Sequence, residues 1–330
     1  EGCAALVTVA GEASRARRGL WLLPAGLLAE QVRRACPWAR VRPWRGGLWA
    51  TLATVFKDTG VRRIAYEAGR MTVAELTQLR RAAGRPARRG GRRLIRTSEM
   101  VERLRAVKEP GELRRLRRAC AIVDGAARLA RRLVRPGATE KGVADRLDRF
   151  MRARGAAKSS FDLIVAAGVH AAAPHHLTGA GRLRRGQMVV VDIGCVYEGY
   201  CSDLTRTYFL GRMAPVFRRR YQMVLESQEA GIRAVRAGVT AGAVDEASRA
   251  VLRRAGLAGR FIHSTGHGVG LEIHELPRVA PGSRDRLEAG MVITVEPGVY
   301  IPGWGGIRIE DVVAVTPSGC ERLTHASRAP

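Results

Sequence analysis

The chain carries FIHSTGHGVGLEIHELP at residues 261–277, GMVITVEPGVYIPG at 290–303 and GGIRIEDVVAV at 305–315. These apolar, glycine-punctuated stretches contain one candidate metal-ligating histidine and two glutamates, namely His267, Glu296 and Glu310. Burying an ionised acid in an apolar strand is costly unless a cation meets it. The pattern therefore predicts a bound metal ion, around which the rest of the chain folds.

Two upstream aspartates stand in the same setting, Asp192 in GQMVVVDIGCVYEG and Asp203 in GYCSDLTRTYFLG. Valine-rich runs that end in an acid and are bounded by glycine predict buried strands. Together with the first three residues they make four carboxylates and one imidazole. Like charges repel so strongly at close range that divalent cations are needed to hold them together, and two cations would balance four acids. The set predicts a dinuclear site.

An internal repeat explains why these residues should meet. LRRGQMVVVDIG (183–194) aligns without gaps with LEAGMVITVEPG (287–298), which places Asp192 on Glu296 and Gly194 on Gly298. Ahead of them, residues 135–155 align with residues 236–256. A unit that is long and occurs only twice indicates duplication within one domain rather than a solenoid. We expect two similar halves related by a pseudo-twofold axis, with the acids at their shared midline.

The order and wording of these motifs resemble a known family. VDIG, SDLTRT, STGHGVGLEIHE, EPGVY and RIEDVV follow one another as in the proline-specific metallopeptidases of the pita-bread fold, the Xaa-Pro dipeptidases (prolidases) and aminopeptidase P. Five motifs in order over about the last two-thirds of the chain are a specific signal. The resemblance implies an α/β fold whose C-terminal pita-bread domain contains the pseudo-twofold repeat, after a small α/β N-terminal domain.

The N-terminal residues alternate between predicted strands and helices, which is typical of a small α/β domain. We predict strands in CAALVTVA (3–10), GLWLLP (19–24) and RRIAYEA (62–68), and helices at 27–36, 47–60 and 71–84. The domains are predicted at 1–97, 98–112 (a linker with a connecting helix, broken by Pro110-Gly111) and 113–330. Compared with the resembling family, the first domain starts late and is expected to lack the usual first strand and helix.

The resemblance also assigns the metal ligands. Asp192 would hold the first metal, His267 and Glu296 the second, and Asp203 and Glu310 would bridge both. Oxygen-rich donors with one imidazole suit Mn²⁺ or Co²⁺ better than a thiolate zinc site does. Two such ions about 3.5–4 Å apart can share a water, lower its pKa and deliver hydroxide to a carbonyl.

By the same resemblance, His175, His263, His274 and Glu296 are the candidate catalytic residues. His175 lies in GVHAAAPH, where the family's typical phrase is G-P-N-S-A-L-P-H, so Val169 and His170 replace Pro and Asn. We expect His175 and His274 to contact the scissile carbonyl or its oxyanion, and Glu296 to accept the proton of the attacking water. His170 is open between a packing or surface histidine and an altered supporting role.

Three further residues are candidates for substrate binding besides His175 and His274. Arg278 is where prolidase-like sequences place a cation for the terminal carboxylate of the substrate. Arg308 is balanced between substrate contact and a salt bridge to a ligand carboxylate. Phe161 is either part of a proline pocket or an ordinary core residue.

The composition bounds the remaining possibilities. The formal charge is +27, but 53 of the 57 basic residues are arginines spread along nearly every predicted helix, which indicates a compositional bias rather than a designed patch. We therefore expect no specific nucleic-acid partner, although weak adhesion to polyanions at low salt would follow from the charge. Six dispersed cysteines without a CxxC pair argue against metal clips and redox motifs.

No apolar run approaches the ~20 residues that span a bilayer, and the N-terminus shows no signal-peptide pattern. We expect a cytoplasmic homodimer, the latter because homodimers are common in the resembling family. The predicted function is Xaa-Pro dipeptidase, with aminopeptidase P acting on longer peptides as the second candidate. A creatinase-like or methionine aminopeptidase-like enzyme of the same fold, or a non-catalytic binding module, would also be compatible with a pita-bread domain.

Overall fold

Two units follow one another along the chain, Glu1–Met100 and Val101–Pro330. The computed structural model describes residues 3–8, 19–84 and 92–330. Residues 9 and 10, which end the predicted strand CAALVTVA, lie outside the described residues.

The first unit alternates strands and helices, as predicted. Its strands are β1 (Cys3–Thr8), β2 (Gly19–Pro24), β3 (Arg40–Val41), β4 (Arg63–Glu67) and β5 (Arg93–Thr97). Its helices are α1 (Ala29–Ala35), α2 (Leu48–Thr59) and α3 (Val73–Ala83), with a 3₁₀ turn at Gly26–Leu28 before α1.

Two small sheets form the framework of this unit. In one, β2 lies between antiparallel β1 and parallel β3, and in the other β4 is parallel to β5. The apolar face of α2 supplies Val55 and Phe56 to a core that also contains Leu79 of α3 and Ile64 of β4. Burial of such side chains contributes roughly 1.5–3 kcal/mol each.

The second unit holds most of the chain. Its helices are α4 (Met100–Ala106, which starts at the last residue of the first unit), α5 (Pro110–Leu133), α6 (Glu140–Arg152), α7 (Pro215–Ala234) and α8 (Ala241–Arg254), with 3₁₀ turns at Gly168–Ala172 and Ala258–Arg260. The strands of its first half are β6 (Lys158–Ser159), β7 (Ile164–Ala167), β8 (Met188–Ile193), β9 (Cys195–Tyr197), β10 (Tyr200–Cys201) and β11 (Leu204–Phe209). The strands of its second half are β12 (Gly266–Gly268), β13 (Glu275–Val279), β14 (Val292–Val295), β15 (Gly298–Ile301), β16 (Gly305–Arg308), β17 (Asp311–Val315) and β18 (Cys320–Arg322).

The predicted repeat is visible in matching local structure. Helices α6 and α8 both begin after a threonine cap, Thr139 and Thr240, whose hydroxyl accepts a hydrogen bond from the backbone three residues on. The segments before them make matching hydrogen bonds, Gly137 N to Leu183 O (2.9 Å) and Gly238 N to Leu287 O (2.8 Å). The same helix-to-strand connection is therefore built twice.

Each half of the second unit has its own central sheet. The first half forms the order β11–β8–β7, and the second forms β13–β12–β14–β17–β18. Valines 189–191 of β8 and all of β14 are buried, as expected of strands covered on both faces. The acids lie at adjoining strand ends, since β8 pairs with β11 and β14 pairs with β17.

The structure corrects one predicted boundary feature. Pro110 and Gly111 do not separate two helices, because Pro110 is the first residue of α5 and Glu109 caps it together with Glu112. Proline is tolerated at this position, where its missing N–H would have no intrahelical partner. The break between α4 and α5 instead falls at residues 107–109.

Among the described residues, no helix has both the length and the apolar character needed to cross a bilayer.

Candidate metal centre

Four of the five predicted ligands lie at or next to the ends of four strands that converge. Asp192 lies in β8, Asp203 directly precedes β11, Glu296 directly follows β14 and Glu310 directly precedes β17. A hydrogen bond joins the halves at this point, from the hydroxyl of Thr205 to Glu310 Oε2 at 2.7 Å. The repeat therefore places acids from both halves at one midline.

His267 on β12 faces these acids. Its Nδ1–H donates to the backbone carbonyl of Gly268 at 3.0 Å, which leaves Nε2 as the ring atom facing the carboxylates. This Nε2 lies 3.3 Å from Glu296 Oε1 and 3.6 Å from Asp203 Oδ2. One atom each of Asp203, His267 and Glu310 lie within 4.8 Å of one another, a spacing that one metal ion could bridge.

Two carboxylate oxygens in this cluster lack a partner. Among the described residues, neither Asp192 Oδ1 nor Glu310 Oε1 has a hydrogen-bond partner, and both atoms are buried. Leaving a buried acceptor unsatisfied costs about 1–3 kcal/mol, and more when it is charged. The donor set and these two oxygens fit divalent cations, which would satisfy both.

The electrostatics of the cluster lead to the same conclusion. Burial, reinforced by the charges of Glu310 and Asp192, raises the pKa of Asp203 well above its ordinary value. Burial and the charges of Glu296 and Asp192 do the same to the pKa of Glu310. Burial opposes ionisation of Glu296 too, but its hydrogen bond to His267 and the charge of that imidazole lower the pKa of Glu296 to about 2. Without cations, protons must therefore neutralise part of the cluster.

Arg308 is held against the ligand carboxylates. Its Nη2 donates to Asp192 Oδ2 at 2.6 Å, its Nε to the hydroxyl of Thr205 at 3.1 Å and its Nη1 to Tyr300 Oη at 2.8 Å. Arg308 is only 3% exposed. Of the two roles open for this residue, the geometry supplies the salt bridge to a ligand carboxylate.

His263 joins the same network from the other side. Its Nδ1–H donates to the carbonyl of Ser264 at 2.7 Å, so Nε2 can accept the hydroxyl proton of Tyr300 at 2.9 Å. Burial lowers the pKa of His263, which favours this neutral form. Tyr300 thus links His263 to Arg308 and through it to Asp192.

The candidate substrate-side residues are more accessible. His274 packs edge-to-face on His267 with ring centroids 4.3 Å apart, and both His274 and His175 are exposed. Burial lowers the pKa of His274, with smaller contributions from His267 and His175. Exposed Arg278 is the cross-strand partner of His267 in the β12–β13 pair.

Phe161 is half-buried and lies next to Gly194, the residue that follows β8. A Cβ on Gly194 would lie 2.6 Å from Phe161 Cε1. His170 is not brought to this centre, since its ring contacts Glu140 instead.

Sequence reasoning missed three supporting residues, Tyr300, Thr205 and Thr294. The hydroxyl of Thr294 donates to Glu296 Oε1 at 3.2 Å and accepts from the backbone of His267 at 3.0 Å. A signal was available for the threonines, because Thr205 follows Asp203 by two residues and Thr294 precedes Glu296 by two. Residues two apart in a strand share a face.

Comparison with known proteins decides the family. Residues 114–317 match the sequence model of metallopeptidase family M24, and residues 2–107 match that of the creatinase/prolidase N-terminal domain. The chain belongs to metallopeptidase family M24. The predicted resemblance and the α/β fold with a pita-bread domain are confirmed.

Individual M24 relatives agree with this assignment. The uncharacterized peptidase YqhT of Bacillus subtilis is 37% identical over 283 residues, which cover 86% of this chain and 78% of that protein. The Xaa-Pro dipeptidase of Pyrococcus furiosus is 41% identical over 230 residues, 70% of this chain and 66% of the relative.

Solved M24 structures are similar as well. The Xaa-Pro dipeptidase from Bacillus anthracis superposes with a TM-score of 0.89 at 36% identity, covering 94% of this chain and 86% of its own. The X-Pro aminopeptidase from Thermotoga maritima gives a TM-score of 0.83 at 33% identity, covering 94% and 87%. The protein is therefore a peptidase of a family that works with divalent metal ions.

Proposed function

We propose that this M24 protein hydrolyses Xaa-Pro peptide bonds and that Xaa-Pro dipeptides are its preferred substrates. The observation that carries the proposal is the convergence of Asp192, Asp203, His267, Glu296 and Glu310, where two buried oxygens have no hydrogen-bond partner among the described residues. The relatives named above as Xaa-Pro dipeptidases supply the substrate class.

In this proposal the five converging residues are the metal ligands. Asp192, Asp203, His267, Glu296 and Glu310 would together hold two divalent ions. Mn²⁺ and Co²⁺ suit these oxygen-rich donors. When bound, two such ions polarise a carbonyl and lower the pKa of water.

The side chains of this chain perform the remaining tasks. Glu296 presents a carboxylate at the centre of the cluster, with Oε1 3.3 Å from His267 Nε2, and this carboxylate can accept a proton from the attacking water. His175 and His274 are exposed and lie at the accessible side of the cluster, where they donate to the scissile carbonyl as charge develops on it. His263 acts through Tyr300, by holding the hydroxyl that Arg308 contacts.

The Xaa-Pro bond requires such positioning, because its nitrogen is tertiary and offers no N–H to the enzyme. We assign Phe161 to contact with the proline ring. Arg278 is exposed beside His267 and is suited to bind the terminal carboxylate of a dipeptide. A cation beside His267 would favour substrates that end directly after proline. Arg308 contributes by orienting Asp192 rather than by touching substrate.

Aminopeptidase P activity on longer peptides is the second candidate, and the similarity to the X-Pro aminopeptidase of Thermotoga maritima supports it. Creatinase-like and methionine aminopeptidase-like activities share the fold and rank after it. A non-catalytic binding role has the least support, because all five ligand positions carry side chains that can bind metal.

One assay tests both the cleavage of Xaa-Pro bonds and the preference for dipeptides. The purified protein, treated with a chelator and then with Mn²⁺ or Co²⁺, is given an Xaa-Pro dipeptide or an Xaa-Pro-Yaa tripeptide, and the products are quantified. We expect free proline from the dipeptide, loss of activity with the chelator and recovery with one metal. A higher kcat/KM for the tripeptide would select aminopeptidase P, and no cleavage of either peptide would reject Xaa-Pro specificity.

We also propose the domain division at 1–97, 98–112 and 113–330. The two family matches, which end at residue 107 and resume at 114, support a connecting segment in this region.

We further propose a cytoplasmic homodimer without a specific nucleic-acid partner. The free thiols of the described cysteines fit a reducing compartment, and light scattering of the purified protein would measure the mass of the assembly.

A further inference from the structure

A second group of ligand-type side chains lies apart from the metal centre. Glu140 is the first residue of α6, His170 lies in the 3₁₀ turn Gly168–Ala172, and His176 follows in the next loop. His170 Nδ1 is 2.8 Å from Glu140 Oε1, and His176 Nε2 is 3.0 Å from Glu140 Oε2. The two imidazole rings stack with centroids 4.6 Å apart. This Glu140 cluster shares no residue with the five-ligand centre.

The carboxylate of the Glu140 cluster is buried while one side of the cluster is open. Glu140 is 0% exposed, whereas the His170 side chain is 45% exposed. Within the described part of the chain, the ion-pair partners of Glu140 are these two imidazoles. The backbone N–H of Ala167 also donates to Oε1, at 2.9 Å. The two histidines therefore lie between the buried carboxylate and the solvent.

We propose that Glu140, His170 and His176 bind a Zn²⁺ ion, with the remaining coordination position open to water. One ligand atom from each residue lies within 4.8 Å of the others. One carboxylate oxygen and two imidazole nitrogens are a donor set that zinc favours, with an open fourth position.

Zinc binding requires a rearrangement of these side chains, because the two imidazoles contact different oxygens of Glu140. Ligands that each lie 2.0–2.2 Å from a tetrahedral zinc are separated from one another by about 3.3–3.5 Å. The observed nitrogen-to-oxygen distances of 2.8 and 3.0 Å are a few tenths of an ångström shorter. Zinc would take the place of the protons shared in these hydrogen bonds. Each ring binds zinc in its neutral form, so a proton on the zinc-binding nitrogen is released to water or replaced by one on the other ring nitrogen.

His170 stands where the typical phrase of the family has asparagine. Bound zinc would connect the start of α6 to the loop that carries His175. The site would therefore stabilise the loop of a proposed substrate-side residue without contacting substrate.

The test measures zinc alone, without peptide. Metal-depleted full-length protein is dialysed against Zn²⁺, and the bound zinc per chain is measured by atomic absorption for wild type, His170→Asn and His325→Asn. We expect wild type and His325→Asn to bind one equivalent more than His170→Asn. His325 is an exposed histidine whose loss controls for removal of an imidazole.

A second variant guards against misfolding. His176→Gln should lose the same equivalent, with circular dichroism showing that both variants fold. Equal zinc content in wild type and the two cluster variants would overturn the proposal. Since no substrate is used, this result is independent of whether the protein cleaves Xaa-Pro peptides.

Discussion

Arg308 determines which oxygen of Asp192 remains available for a cation. Its guanidinium occupies Oδ2, while Oδ1 is buried without a partner among the described residues. The same side chain reaches Thr205 and Tyr300, so one planar group orients three neighbours. Lysine could not replace it, because an ammonium is a point charge without this fixed fork of donors. The geometry of the proposed ligands thus depends on side chains that are not themselves proposed ligands.

Tyr300→Phe tests this dependence. The change removes the hydroxyl that accepts from Arg308 and donates to His263, and leaves the ring in place. We expect about a 10–100-fold loss in kcat/KM for an Xaa-Pro dipeptide, the range seen when a group that orients a metal ligand is removed. Stability should fall by only about 1–2 kcal/mol, as measured by urea unfolding.

Tyr208→Phe is the matched control. The hydroxyl of Tyr208 is also buried and donates to the carbonyl of Ala127 at 3.0 Å, but it contacts none of the ligands. Its loss should lower stability similarly and leave kcat/KM unchanged. Equal activity in the two variants would show that the Tyr300 hydroxyl contributes only to folding.

At the level of strands, the acids meet because the strand ends approach closely. Gly194 follows the Asp192 strand, and a Cβ there would lie 2.0 Å from Ser160 Oγ and 2.3 Å from the backbone oxygen of Ser202. The repeat places Gly298 at the matching position, where a Cβ would meet Tyr300 Oη at 2.5 Å. Glycine after the acid is therefore a packing requirement of both halves.

Gly194→Ala should consequently be severely destabilising. Because part of the clash is with backbone, we expect the free energy of unfolding to fall by about 3 kcal/mol or more, at the upper end of the cost of overpacking. Thermal unfolding of the metal-loaded protein measures this. Gly259→Ala is the control, since a Cβ there meets no atom within 4 Å. If Gly194→Ala is as stable as the control, the strand ends have more room than the structure shows.

The sequence predicted most of the elements and selected five residues that the structure brings together, but it identified few of the residues that hold them in place. Valine runs mark the central strands locally, and the alignment of the duplicated unit places Asp192 and Glu296 at equivalent positions. Thr205 and Glu310 touch across 105 residues, and no local pattern records such contacts. The Pro110-Gly111 prediction was wrong because proline both breaks helices and begins them. His170 was left open because its partner, Glu140, lies 30 residues earlier.

For the whole molecule, the acidic centre has to be reconciled with a strongly basic chain. The formal charge is +27, and the arginines of α5 are exposed on its outer face. Charges separated by more than about 8 Å are largely screened at physiological salt. Cation binding is therefore decided by the local cluster, whose buried carboxylates repel one another until they are neutralised.

Metal loading should thus stabilise the protein measurably. All five proposed ligands lie in the second unit, Val101–Pro330, so its unfolding transition is the one expected to shift in calorimetry. At an Mn²⁺ concentration of about 100 times Kd, one site contributes about 2.7 kcal/mol, which corresponds to a rise of roughly 5–10 °C in Tm for a unit of this size. Asp203→Asn removes a carboxylate that faces His267 and should abolish most of the rise. A shift of the same size in this variant would mean that Mn²⁺ stabilises the chain elsewhere, because the lost carboxylate would then contribute nothing to binding.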